Sequence, residues 1–118
     1  MSPWKDSVFS VSTISEFIKN YIDSDTSVIF LHDKGIIGGQ LVPLFFGKGV
    51  IANEVFWFAE SHGKILLNAF EEWGKAMGAE KILLSSLAFG NERDMKMTKY
   101  YDKLGYKPIE IHFAKGVP

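Results

Sequence analysis

Hydrophobic positions along this chain change their period several times, and each change marks an element. Ile14, Phe17, Ile18, Tyr21 and Ile22 recur at helical spacing. They predict an amphipathic helix that Asp23-Ser24-Asp25 ends. Ser12 or Thr13 offers a cap, and Thr13 with Glu16 has the spacing of a capping box. Ser27 to His32 is a short apolar run that reads as a strand. Asp33-Lys34-Gly35 is a turn signal, and Ile36 to Val42 reads as the returning strand. Gly38 and Gly39 inside it point to a bulge or a close backbone approach. A further turn signal, Gly47-Lys48-Gly49, precedes a third strand from Val50 to Ala59. Three strands joined by short turns predict an antiparallel meander.

The period then returns to helical from Lys64 to Met77, with Leu66, Ala69, Phe70, Trp73, Ala76 and Met77 on one face. Gly78 is its stop signal. Lys81 to Leu87 is β-like, and a strand that follows a helix in this way is expected to lie parallel to the third strand. Asn91 to Leu104 reads as another helix, with Met95, Thr98, Tyr101 and Leu104 in register and Gly105 at its end. Pro108 to Ala114 alternates in part and reads as a last strand. The predicted order is α-β-β-β-α-β-α-β, an α/β (α+β layered) arrangement.

Composition narrows the function classes. A chain of 118 residues, 47% hydrophobic, fits one domain over 1–118 with a real core. Thirteen basic and fourteen acidic residues give a net charge of −1, so no global field draws the chain to nucleic acid or to acidic membranes. The aromatic residues do not alternate with a basic stripe, which argues against nucleic acid as a partner. The chain has no cysteine. That excludes disulfides and a thiol nucleophile, and it fits a reducing, cytoplasmic setting. Met1 to Asp6 lacks the apolar core of a signal peptide. The longest apolar run, Leu41 to Phe46, is too short to span a bilayer and contains Pro43. His32, His62 and His112 are scattered with no metal-ligand spacing, so no metal is expected.

The candidate chemistry sits at the end of the third strand. The aromatic run Phe56-Trp57-Phe58 breaks at a polar loop, Glu60-Ser61-His62-Gly63, and a helix starts at once. A helix start leaves backbone N–H groups unsatisfied, and these suit a phosphate. Glu54 lies upstream on the same strand. Strand alternation puts Glu54, Phe56 and Phe58 on one face and Val55, Trp57 and Ala59 on the other. Downstream, Tyr100-Tyr101-Asp102-Lys103-Leu104-Gly105-Tyr106 places a phenol near a helix end.

This order, with the stretches EVFWFAESHGKILLNAFEEWGKAMGAEKILLS and YYDKLGYKPIEIHFAKG, resembles the GCN5-related N-acetyltransferases (GNAT) over roughly residues 12–116. The narrower likeness is to the small acetyltransferase-like proteins of tailed phages and bacteria. The second stretch is the more specific, through its Tyr-x-x-x-Gly-aromatic spacing. The resemblance implies a GNAT-like fold: a central mixed sheet with an antiparallel meander, a splayed parallel pair and flanking helices. It implies acetyl-CoA as cosubstrate, lying where Val50–Ala59 and Lys81–Leu87 part and pairing with free strand amides. The cofactor contacts it implies are Trp57, Phe58 and Ala59 at the strand end, and Ser61, His62, Gly63 and Lys64 at the loop. Asn91 is a further implied contact, with a helix cap as the competing reading. The loop departs from the family pattern Arg/Gln-x-x-Gly-x-Gly/Ala. Phe58, Ser61 and Gly63 occupy the matching positions and only Gly63 fits. An alternative alignment sets His62-Gly63 on the family's Arg-Gly and makes the loop short.

Acyl transfer to an amine needs a base for the amine and an acid for the departing thiolate. Glu54 is the expected base, directly or through water, since a buried carboxylate titrates nearer neutrality. A solvent-facing Glu54 at a strand start is the competing reading. The resemblance implies Tyr101 as the acid, by its spacing to Gly105. Tyr100 is out of phase with it, and a core tyrosine is the bland alternative for Tyr101. With no cysteine, direct transfer is expected rather than an acyl-enzyme. The acceptor is a small-molecule or protein amine, and Met1 to Gly35 carries no motif that names it. The alternative function is a non-catalytic module of the same fold, acting through protein contacts. A homodimer would cover edge strands and apolar surface in so short a chain. The cytoplasm, or the host cytoplasm for a phage protein, is the expected location.

Overall fold

The computed structural model describes residues 10–44, 47–85, 92–109 and 115–117. They fall in two compact units, Ser10–Ser85 and a second that holds the described residues from 92 onward. The first contains α1 (Val11–Ile22), β1 (Ser27–His32), β2 (Gly35–Pro43), β3 (Val50–Ala59), α2 (Gly63–Ala76) and β4 (Lys81–Leu83). The second contains α3 (Glu92–Lys103). The architecture is α/β around a mixed sheet of order β1-β2-β3-β4. The meander pairs antiparallel, and β4 lies parallel to β3 as its position after α2 predicts.

The core of the first unit lies between the sheet and α2. Ile37, Ala52, Leu66, Leu67 and Phe70 are buried there. The buried face of α2 is Leu66, Leu67, Phe70 and Gly74, rotated from the predicted one. Ala76 and Met77 are exposed. The cause is Gly74, whose missing side chain lets the helix settle onto Ala52 and Ile82. Both α2 and α3 end in the same way. Gly78 and Gly105 take positive φ, and Ala79 and Tyr106 donate back to the Gly74 and Tyr101 carbonyls. These are Schellman motifs.

α1 differs from its prediction in two respects. Ser10, not Ser12 or Thr13, caps it, accepting from the Thr13 N–H at 3.3 Å. Its apolar stripe is only partly covered: Tyr21 is buried, whereas Val11, Ile14, Phe17 and Ile22 are exposed. Among the described residues β4 ends at Leu83, short of the predicted Leu87. Leu87, Asn91 and most of the predicted last strand lie outside the described residues. Among the described residues no helix is long and apolar enough to cross a membrane.

Candidate active site

The site grows from a break in β3. Gly39 of β2 pairs with Glu54, but Gly38 pairs with Phe56, so Val55 is an extra residue in β3. That bulge interrupts the predicted alternation of Glu54, Phe56 and Phe58 on one face. The close packing of Gly38 and Gly39 accompanies it. A Cβ on Gly38 would run into the Phe56 ring, and one on Gly39 into the Phe70 ring and the Asn53 carbonyl. The glycine pair therefore marks the position, although the extra residue belongs to the partner strand.

The parallel pairing stops at the same level. β3 and β4 are in register from Ile51–Lys81 to Asn53–Leu83. Beyond Asn53, β3 runs on from Glu54 to Ala59 with no β4 partner among the described residues. Glu54 is the first residue of β3 beyond that pairing. Its Oε1 accepts from the Ser85 backbone N–H at 3.4 Å, and the residue is only 4% exposed. Burial pushes its carboxyl from an ordinary 4.5 up to about 7, against a smaller lowering by the Ser85 N–H. The competing reading of Glu54 as a solvent-facing residue is thereby corrected.

Aromatic rings from α1 come to this point. Tyr21 packs against Phe17 with centroids 4.7 Å apart and against Phe56 at 5.8 Å. Phe17 and Phe56 meet edge to face at 6.2 Å. Burial, and then the negative charge of Glu54, raise the Tyr21 phenol. The sequence marks Tyr21 only as part of a helical stripe. Periodicity along α1 carries no information about what lies opposite it in the fold.

The loop after β3 is compact. His62 has φ 60° and ψ 29°, the only positive φ outside glycine among the described residues. Its side chain does not cap α2. Among the described residues the first-turn amides of Gly63 and Lys64 have no hydrogen-bond partner. Trp57 is half-buried and lies against Gly63, where a Cβ would be 3.5 Å from the indole. Phe58, Ala59, Ser61, His62 and Lys64 are exposed. Ser61 Oγ and His62 Nδ1 are 3.2 Å apart. The fold also brings together two histidines that the sequence leaves unconnected. The His32 and His62 rings have centroids 4.9 Å apart, and His32 Nδ1 is buried without a partner. The hairpin turn and the β3–α2 loop both lie at this end of the sheet, which is why the two rings meet.

Tyr101 belongs to the second unit, on the last turn of α3. Its ring lies 6.2 Å from Tyr106 and 6.4 Å from Tyr100. The Tyr106 N–H donates to the Tyr101 carbonyl at 3.0 Å, and Gly105 has φ 90°. The Tyr-x-x-x-Gly-aromatic spacing is therefore that of a helix stop with its attendant contact. Asn91 lies outside the described residues.

No family model matches the chain, and no curated protein matches it significantly. Solved structures do. A GNAT family acetyltransferase from Staphylococcus aureus is similar at 18% identity and a TM-score of 0.67, covering 92% of this chain and 78% of that one. Glucosamine-6-phosphate N-acetyltransferase from Arabidopsis thaliana is similar at 14% identity and a TM-score of 0.70, covering 95% and 82%. An aminoglycoside acetyltransferase from an uncultured soil metagenomic sample is similar at 18% identity and a TM-score of 0.67, covering 87% and 74%. The mixed four-stranded sheet, with its antiparallel meander and parallel β3–β4 pair, and these neighbours agree on one architecture: the chain has the fold of the GCN5-related N-acetyltransferases.

Proposed function

We propose that the chain is an acyl-CoA-dependent N-acyltransferase that moves an acetyl group from acetyl-CoA directly to an amine. The observation that carries this reading is Glu54, buried and raised to about 7 at the first residue of β3 beyond its pairing with β4. A carboxyl there is half ionised near neutral pH and can take the proton an ammonium must lose before it attacks. The Ser85 N–H holds the carboxylate in place. The residues at hand fit the cosubstrate. The β3 edge beyond its pairing with β4 is where the resemblance puts an extended amide chain. The unpaired amides at Gly63 and Lys64, with Ser61 and His62 beside them, suit its phosphates. Acetyl-CoA supplies an activated thioester carbonyl when bound. Tyr101 keeps the role the resemblance implies, a proton donor to the departing thiolate, and Asn91 that of a cofactor contact. Tyr101→Phe should lower turnover about a hundredfold with the fold intact, as loss of a general acid does. The acceptor is a small-molecule or protein amine, and the cytoplasm is the compartment this reading assigns.

A second reading draws on the exposed apolar residues Val11, Ile14, Phe17 and Ile22 of α1 and on the departure of the loop from the family pattern. In it the chain is a non-catalytic module that binds a protein, a second copy of itself included. Calorimetric titration of acetyl-CoA, with CoA and ATP as controls, separates the two. The acyltransferase reading expects saturable binding of acetyl-CoA and of CoA but not of ATP. Folded protein that binds neither thiol nor thioester would leave only the module.

A further inference from the structure

We propose that His32, the last residue of β1, is a positioning residue for the cosubstrate: its ring props His62, and through His62 it fixes the β3–α2 loop whose amides take the phosphates. This rests on the acyltransferase reading and adds to it a residue that sets affinity for the phosphate-bearing half of the donor. The first observation is the state of His62. It turns the chain with φ 60° and ψ 29°, a left-handed conformation that an L side chain resists. Its carbonyl accepts from the Ile65 and Leu66 N–H groups at 3.1 and 3.4 Å. That carbonyl and the Gly63 N–H belong to one planar peptide, so whatever holds His62 also aims the amide. The His62 side chain does not cap α2. It meets Ser61 Oγ, 3.2 Å from its Nδ1, and the His32 ring, with centroids 4.9 Å apart and planes at 44°.

The second observation is that the β1–β2 hairpin, which carries His32, is itself fixed against the loop. His32 pairs with Gly35, and Gly35 with Ala59, in one row across three strands. The Lys34 carbonyl accepts from the Glu60 N–H at 3.0 Å. A Cβ on Gly35 would come within 3.1 Å of Leu66, the Phe58 carbonyl and the Ala59 side chain. The turn is thus packed against the segments that enter and leave the loop. His32 is half-buried, and its Nδ1 is buried with no hydrogen-bond partner among the described residues. The ring, rather than a polar bond at that nitrogen, acts on His62, so an apolar ring of similar shape should serve. A loop held in its binding conformation beforehand has less to order when phosphate arrives.

The test titrates acetyl-CoA and, separately, S-acetylpantetheine, a donor without phosphates, into the full chain. His32→Ala should weaken acetyl-CoA about fivefold, the worth of one ring pair, and S-acetylpantetheine not at all. His32→Phe should restore the parent affinity for acetyl-CoA. In a His62→Gly background His32→Ala should change that affinity no further, because the ring it props is gone. Should the alanine variant not fold, His32→Leu takes its place, since it fills the space without a ring. The proposal is overturned by a ringless variant that binds acetyl-CoA as well as the parent. It is overturned too if both donors weaken equally, or if His32→Phe binds no better than the ringless variant. Those outcomes, in a parent that binds acetyl-CoA, sink this inference alone. A parent that binds neither donor sinks the acyltransferase reading, and this inference with it.

Discussion

Glu54→Gln is expected to lower acyl transfer about a thousandfold, within the usual range for a lost general base, and to make the protein more stable above pH 7. Both effects have one cause. The folded protein holds the Glu54 carboxyl protonated up to about 7, whereas an unhindered glutamate ionises near 4.5. As base, Glu54 works only when ionised. The parent rate should therefore rise with pH through about 7, and the residual activity of the variant should lack that limb. Stability runs the other way. Between 4.5 and about 7 the unfolded chain releases a proton that the folded chain retains. The favourable contribution of neutral Glu54 is whole below 4.5 and fades as pH rises through the folded value. By pH 8 the loss amounts to about 3 kcal/mol. Glutamine has no proton to lose, so its unfolding free energy should not carry this slope. Denaturant titrations at several pH values, beside pH–rate profiles, read both quantities. Parent and variant with the same pH slope, or a variant with undiminished turnover, would refute the role given to Glu54.

Gly39→Ala should destabilise the fold by about 3 kcal/mol, the upper end for overpacking a core, and lower Tm by roughly 10 °C. Gly39 is buried in β2 opposite Glu54. An added Cβ would meet the Phe70 ring at 2.5 Å and would also run into the Asn53 carbonyl. The ring is fully buried and the carbonyl belongs to the backbone of β3, so neither can move aside cheaply. Gly38→Ala is the comparison at the neighbouring position. The three atoms nearest its Cβ all belong to the Phe56 ring, which is half-buried and can turn, so the cost should be smaller. Gly47→Ala, with nothing within 4 Å of the added carbon, should be neutral. Thermal unfolding of the three variants gives the order. A Gly39→Ala protein as stable as Gly47→Ala would mean that β2 and β3 are not packed as closely as the bulge requires.

Much of the fold was legible because its signals are local. Turn chemistry at Asp33-Lys34-Gly35 and Gly47-Lys48-Gly49, and the switch from strand to helical period after Ala59, placed the meander and α2 close to their observed limits. Gly38-Gly39 flagged a close approach, and one is there. Structure and sequence pattern differ where an element's surroundings decide. The buried face of α2 moved because Gly74, invisible to a hydrophobicity pattern, lets the helix close on Ala52 and Ile82. The Tyr101–Gly105–Tyr106 spacing was clear in the sequence, and the structure accounts for it as a Schellman stop, so spacing alone does not separate a helix end from a catalytic phenol.

The order of the described elements and the parallel setting of β4 on β3 follow from the sequence alone, because each depends on residues adjacent in the chain or on a strict topological preference. Three other matters follow only from the packed fold. It put the extra residue of the bulge at Val55, since a register shift is a property of two strands together and neither strand's own alternation records it. It removed Glu54 from water and so moved its carboxyl to about 7, because desolvation depends on everything packed around a group. It also brought Tyr21 and Phe17 of α1 to Phe56 of β3, and the His32 ring to His62, contacts between segments that share no pattern along the chain.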